Sequence, residues 1–173
     1  EELGMLGVKP DEDIRTPMQW TREEMAGFTA GIPWRQPQPD YPVKNVMAQA
    51  GDPDSLLSTY RELVHLHVAT PALATGEYAA LAADDPALAA FVRWRGADAA
   101  LVLINFGDEP LRGAALDAAA SGLAPGTYAL EPLFGAPAGQ AAPLTVGPGG
   151  AIAGYRFAPE IPARSGMILR LTP

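Results

Sequence analysis

Lys9-Pro10-Asp11-Glu12-Asp13-Ile14-Arg15-Thr16-Pro17-Met18-Gln19-Trp20 packs one lysine, three acids, an arginine, an amide and an indole into twelve positions. Its two prolines resist both helix and sheet, so the stretch reads as a loop that displays side chains. Such a loop needs a rigid scaffold behind it. Around it, residues 1–52 hold five glycines and six prolines, and no window keeps a helical or strand period for long. An irregular segment of that length is usually functional or a linker. A linker would be uniformly polar, whereas this one carries Trp20, Phe28, Trp34 and Tyr41 with Met5, Met18, Met25 and Met47.

Downstream the texture changes. Asp52-Pro53-Asp54-Ser55 predicts a helix start, with Asp52 as N-cap, Pro53 in the first helical position and Asp54 favouring the positive end of the dipole. The helix is expected over 53–68, with Leu56, Leu57, Tyr60, Leu63, Val64 and Leu66 to Val68 on a broad apolar stripe, until Thr70-Pro71 ends it. From Pro71 onward, short apolar runs separated by turn residues predict an all-β sandwich. Strands are expected near 76–81, 88–94, 99–106, 111–115, 126–132, 144–146, 151–157 and 166–171. The third is apolar on both faces and should be central.

Composition narrows the function classes. The chain of 173 residues is 48% hydrophobic and 18% charged, which suits a folded domain plus part of another. Its net charge of −8 divides into −5 over 1–70 and −3 over 71–173, leaving no basic face for a nucleic acid or an anionic membrane. The lack of cysteine excludes disulfides and thiolate chemistry and fits a reducing cytoplasm or a bacterial secreted protein, the cytoplasm being favoured. No apolar run of about 18 residues occurs, so no membrane span is expected. Glu1-Glu2-Leu3-Gly4-Met5 opens in mid-pattern, and a longer polypeptide is expected upstream.

The succession EELGM, KPDEDIRTPMQW, AGFTAGIPW, NVMAQ and DPDSLLSTYRELVHL resembles the α-amylase family of glycoside hydrolases, family 13, with the flavour of its α-glucosidase, oligo-1,6-glucosidase and trehalose-synthase-like members. The resemblance is close over 1–70 and rests on position and pattern over 71–173. It implies a mainly β chain: a C-terminal antiparallel β-sandwich of Greek-key type called domain C, residues 71–173, preceded by the last loop (3–52) and helix (53–68) of a (β/α)8 catalytic barrel. It also implies that the three catalytic carboxylates lie on barrel strands upstream of Glu1, so that this chain by itself should not cleave a glycoside. The alternative is a non-catalytic module that binds carbohydrate or serves structure alone.

The same resemblance assigns sugar contacts. Arg15 would hold the sugar at the non-reducing end, a role that suits a planar fork of donors; the bland reading is an arginine that clamps the loop. Glu1 and Glu2 would lie near the subsite of the leaving sugar, or else be ordinary strand-end carboxylates. Trp20, with Phe28 and Trp34, could stack on sugar rings or simply seat the loop. Asp11, Glu12 and Asp13 lack the glycine and distal glutamate of a calcium loop and read as a solvated turn. His65 and His67, two apart on a helix, point to different faces and make a poor metal pair. Gly147, Gly149 and Gly150 lead into a strand rather than a helix, which argues against a nucleotide. No metal or cofactor is expected. The expected partners are an α-glucan or α-glucoside, and either the missing barrel or a second copy covering helix 53–68: five leucine-sized side chains at roughly 1.5–3 kcal/mol each are too much apolar surface to leave wet.

Overall fold

A computed structural model describes residues 14–135, 137 and 139–173 of the chain. Two compact units divide between Glu62 and Leu63. The second unit is built on eight strands: β1 (Glu77–Ala83), β2 (Leu88–Arg95), β3 (Asp98–Asn105), β4 (Ala114–Ala118), β5 (Gly126–Phe134), β6 (Leu144–Val146), β7 (Ile152–Phe157) and β8 (Ser165–Thr172). Each answers to a strand expected from the apolar pattern. The fourth is displaced furthest, from 111–115 to Ala114–Ala118, because Leu111 instead exchanges two backbone hydrogen bonds of 2.9 Å with Ile161.

All the pairings are antiparallel, in the order β6-β5-β8-β3-β2-β1-β4-β7, and the two ends of that order, β6 and β7, return against each other. The result is a nearly closed sandwich. β3 is central, with Leu103 opposite Ala90 on one side and Met167 on the other. Both of its faces are used, as its unbroken apolar run predicts. Leu101 and Leu103 point into the main core with Val92, Leu116, Phe157 and Leu169, whereas Ala100 and Val102 lie on the outer face in a smaller cluster with Leu73. One close approach depends on a glycine: a Cβ on Gly122 (φ +76°) would fall 2.0 Å from the Trp94 ring, so any larger residue would push the indole off the sheet.

Helices lying wholly among the described residues include α1 (Val46–Ala50), α2 (Leu56–Ala69) and α3 (Pro71–Thr75). α2 begins at Leu56 rather than at Pro53, and its cap is Ser55, not Asp52. Ser55 Oγ accepts the Ser58 N–H at 3.2 Å and the Ser55 carbonyl accepts the Thr59 N–H at 2.9 Å. Asp52 spends its carboxylate on the Asp54 N–H at 2.9 Å, forming a local turn that competes with a helical start. Thr70 interrupts the helical run as expected, but Pro71 then opens α3, whose Ala72 N–H donates to Asp98 Oδ2 at 2.8 Å.

No residue of α2 is buried. Leu56, Tyr60, Val64 and Val68, four apart and thus on one face, are 58–73% exposed, while Leu66 packs on the outer cluster of the sandwich.

Candidate functional site

The displayed loop is held by polar side chains rather than by a core. Gln19 is its first keystone: Nε2 donates to Asp40 Oδ1 at 3.1 Å and to the Lys44 carbonyl at 2.8 Å. The backbone carbonyls of Gln19 and Trp20 accept the N–H groups of Val46 and Met47 at 2.9 and 3.0 Å, which ties the RTPMQW motif to the start of α1. Asn45, 3% exposed, caps that helix by accepting the Ala48 N–H on Oδ1 at 2.9 Å, and its Nδ2 donates to the Tyr41 carbonyl at 2.8 Å. Lys44 Nζ stands 3.0 Å from Asp40 Oδ2. The hydrogen bonds from Lys44 and Gln19 hold the Asp40 carboxyl below the ordinary carboxylate range.

A second feature is a short 3-10 turn, Glu24–Gly27. Met25 and Ala26 both adopt left-handed angles (φ 51° and 57°), a conformation that costs an L-residue roughly 1–2 kcal/mol. The turn is fixed by the buried Ala26, whose carbonyl accepts the Trp20 and Thr21 N–H groups at 2.9 and 3.0 Å. Gly27 completes it; a Cβ there would lie 2.6 Å from Thr21 Oγ1. The turn and the chain after it surround an open hollow of about 780 Å³ lined by Glu23, Glu24, Met25, Phe28, Thr29 and Ile32 among others. Carboxylates and an aromatic ring around an open hollow can satisfy both the hydroxyls and the C–H face of a sugar.

Of the residues expected to touch sugar, Arg15 is exposed at the head of the described loop, and Trp20 is 49% exposed where the loop meets α1. Phe28 and Trp34 are 48% and 71% exposed. Glu1 and Glu2 lie outside the described residues, as do Asp11, Glu12 and Asp13. His65 and His67 are exposed on α2, and among the described residues no group of His, Asp and Glu is gathered to hold a metal ion. The sequence reading missed Gln19, Asp40 and Asn45. Only Asn45 left a signal, as a cap-type residue directly before Val46-Met47-Ala48-Gln49.

The family described as alpha amylase, catalytic domain, matches residues 3–76. That stretch is similar to the α-amylase family. Oligo-1,6-glucosidase from Parageobacillus thermoglucosidasius is 37% identical over 109 residues, which cover 63% of this chain and 19% of that protein. Among solved structures, the trehalulose synthase MutB from Pseudomonas mesoacidophila is similar with a TM-score of 0.65 and 31% identity, covering 91% of this chain and 25% of that one. A trehalose-6-phosphate hydrolase from Bacillus licheniformis gives a TM-score of 0.72 at 25% identity, covering 99% and 28%. The chain thus spans about a fifth of the curated relative's length and about a quarter of each solved chain. The α-amylase relationship and the antiparallel sandwich agree with the sequence reading.

Proposed function

We propose that this chain is the C-terminal part of an α-amylase-family enzyme acting on α-glucosidic bonds, with residues 1–70 completing the catalytic barrel and 71–173 forming domain C. The observation that carries the reading is the family match over 3–76, which runs through a loop whose aromatic side chains are displayed instead of buried. In barrels of this kind, active sites are assembled from the loops that follow the strands. Arg15, Glu2, Glu1 and Trp20 serve as accessory sugar contacts: the guanidinium bridges vicinal hydroxyls, the acids accept from the leaving sugar and the indole stacks on a ring. The hydrolytic carboxylates come from the preceding barrel segment. The uncovered face of α2, with Leu56, Tyr60, Val64 and Val68, packs on that segment in the intact enzyme and drives self-association in its absence.

The test is a chimera in which this chain replaces the matching part of oligo-1,6-glucosidase. Arg15→Ala in the chimera should lower kcat/KM at least about tenfold, or about 1.4 kcal/mol of transition-state stabilisation. Kinetics unchanged by the substitution would remove Arg15 from the sugar site. The 173-residue chain alone should release no glucose from maltose or isomaltose, and turnover by it would refute the assignment of the carboxylates.

A further inference from the structure

Where β3 ends and β8 begins, the sandwich carries a frame tied together by one buried amide. Asn105 is 1% exposed, and its Nδ2 donates to the carbonyls of Glu109, Ile161 and Pro162 at 2.8, 3.2 and 3.0 Å while Oδ1 accepts the Gly107 N–H at 2.9 Å. This single amide locks the turn after β3 to the turn before β8. The Arg164 N–H then donates to the Gly107 carbonyl at 3.0 Å, and the Phe106 N–H to the Ala87 carbonyl at 2.9 Å.

On that frame stand two side chains that the fold does not need. Phe106 is 70% exposed. Arg164 sits at φ 49°, a left-handed position that glycine would occupy without strain. Its guanidinium pairs with Asp108, Nε lying 2.6 Å from Oδ1, with both side chains about three quarters exposed. An ion pair this exposed adds little to stability, and a left-handed L-residue subtracts from it. Stability alone therefore does not account for an arginine here. Phe106 and Arg164 line a hollow of about 390 Å³ together with Ile104, Asn105, Ser165 and Gly166.

We propose that this hollow binds a pyranose ring, with Phe106 against the C–H face and the Arg164 guanidinium, held in place by Asp108, on vicinal hydroxyls. The pair is neutral overall, so it holds no net attraction for an anion. Held by Asp108, the guanidinium presents a fork of N–H donors, which adjacent hydroxyls can accept. An aromatic ring supplies the apolar half of the recognition. The volume falls within the range of small-molecule pockets, about 300–1,000 Å³. The chain's charge of −8 disfavours a phosphate-bearing stacking ligand such as a nucleotide.

The sugar chemistry rests on these residues; the choice of an α-linked probe rests on the function proposed above. The experiment is a heteronuclear NMR titration of the 173-residue chain with maltose, isomaltose and cellobiose in parallel. Saturable shifts at 104–108 and 164–166 are expected, with a Kd on the order of 1 mM. Phe106→Ala and Arg164→Gly should each weaken binding at least about tenfold. Because glycine relieves the strained angle, Arg164→Gly should keep or raise the urea midpoint, which separates lost binding from lost folding. Phe106→Trp should bind as well as the original or better. Response to cellobiose alone would support the pyranose site while counting against the α-glucosidic reading of the enzyme. No saturable shift with any of the three sugars, or undiminished binding by Arg164→Gly, would overturn the proposal.

Discussion

The loop region 14–52 and the sandwich fix their chains by opposite means. In the loop, Trp20, Phe28, Ile32, Trp34 and Val43 are about half exposed or more, and what holds the backbone is a set of amide and carboxylate contacts from Gln19, Asp40 and Asn45. In the sandwich, Phe157, Leu101, Leu103 and Leu116 are fully sealed, and the polar contacts serve mainly to finish turns. Apolar burial is additive and tolerant of small shifts, whereas a hydrogen-bonded keystone is lost all at once when one partner goes. The difference suits a scaffold in one case and a displayed surface in the other.

The sharpest way to break this comparison is to hollow out the sandwich. Phe157→Ala, at a fully buried position, should cost about 3–5 kcal/mol in urea unfolding followed by far-ultraviolet circular dichroism. Amide exchange at Gln19 to Lys44 should change little, and an equal loss of protection there would mean that the two regions share one cooperative unit. Next comes alkali. Burial pushes the Tyr155 hydroxyl up from 10.0 to about 12, while the same group donates to the Ala142 carbonyl at 2.7 Å. Its folded-state pKa lies above its unfolded one, so its contribution is whole below pH 10.0 and is lost as the pH rises towards about 12. Tyr155→Phe should flatten that part of the stability curve, and an unaltered slope between the two values would show that Tyr155 is not the group responsible.

A smaller effect is expected in the loop. Asn45→Ala removes the cap of α1 and the tie to Tyr41, and should cost about 1 kcal/mol, read as faster amide exchange at Ala48 and as altered Trp20 fluorescence. The smallest belongs to Asp40. Its pKa is lowered in the folded chain, so the stabilisation is present above the ordinary value of 3.8 and fades as the pH falls through the lower, folded value. Loosening at Gln19 and Lys44 should therefore appear only below about 3.8. Loosening that sets in near neutrality would point to another group.

How far the sequence carried depended on the range of the forces involved. β3 was legible because Leu101 to Ile104 leave no polar face, and a strand without one belongs in the middle of a sheet. The start of α2 was misplaced because Asp52-Pro53 is itself a good cap, and only the competition from the Asp54 N–H and the Ser55 hydroxyl moved it. The Gln19–Asp40 contact spans 21 residues of irregular chain, and no periodicity announces such a pair. Arg15 and Trp20 were legible as motif members, though nothing in their spacing says what they touch. The left-handed run at Met25 and Ala26 left no mark either, since neither residue type favours that conformation.

The return of β6 against β7 carries a consequence for handling the protein. Strand β6 is only three residues long and stands close to β7, so one edge of the sheet is short and the other is partly covered against another chain. Copies that meet through the bare stripe on α2 should accordingly gather by side chains alone. Concentrated solutions are expected to cloud reversibly on adding salt and clear on dilution, without taking up thioflavin or growing fibres.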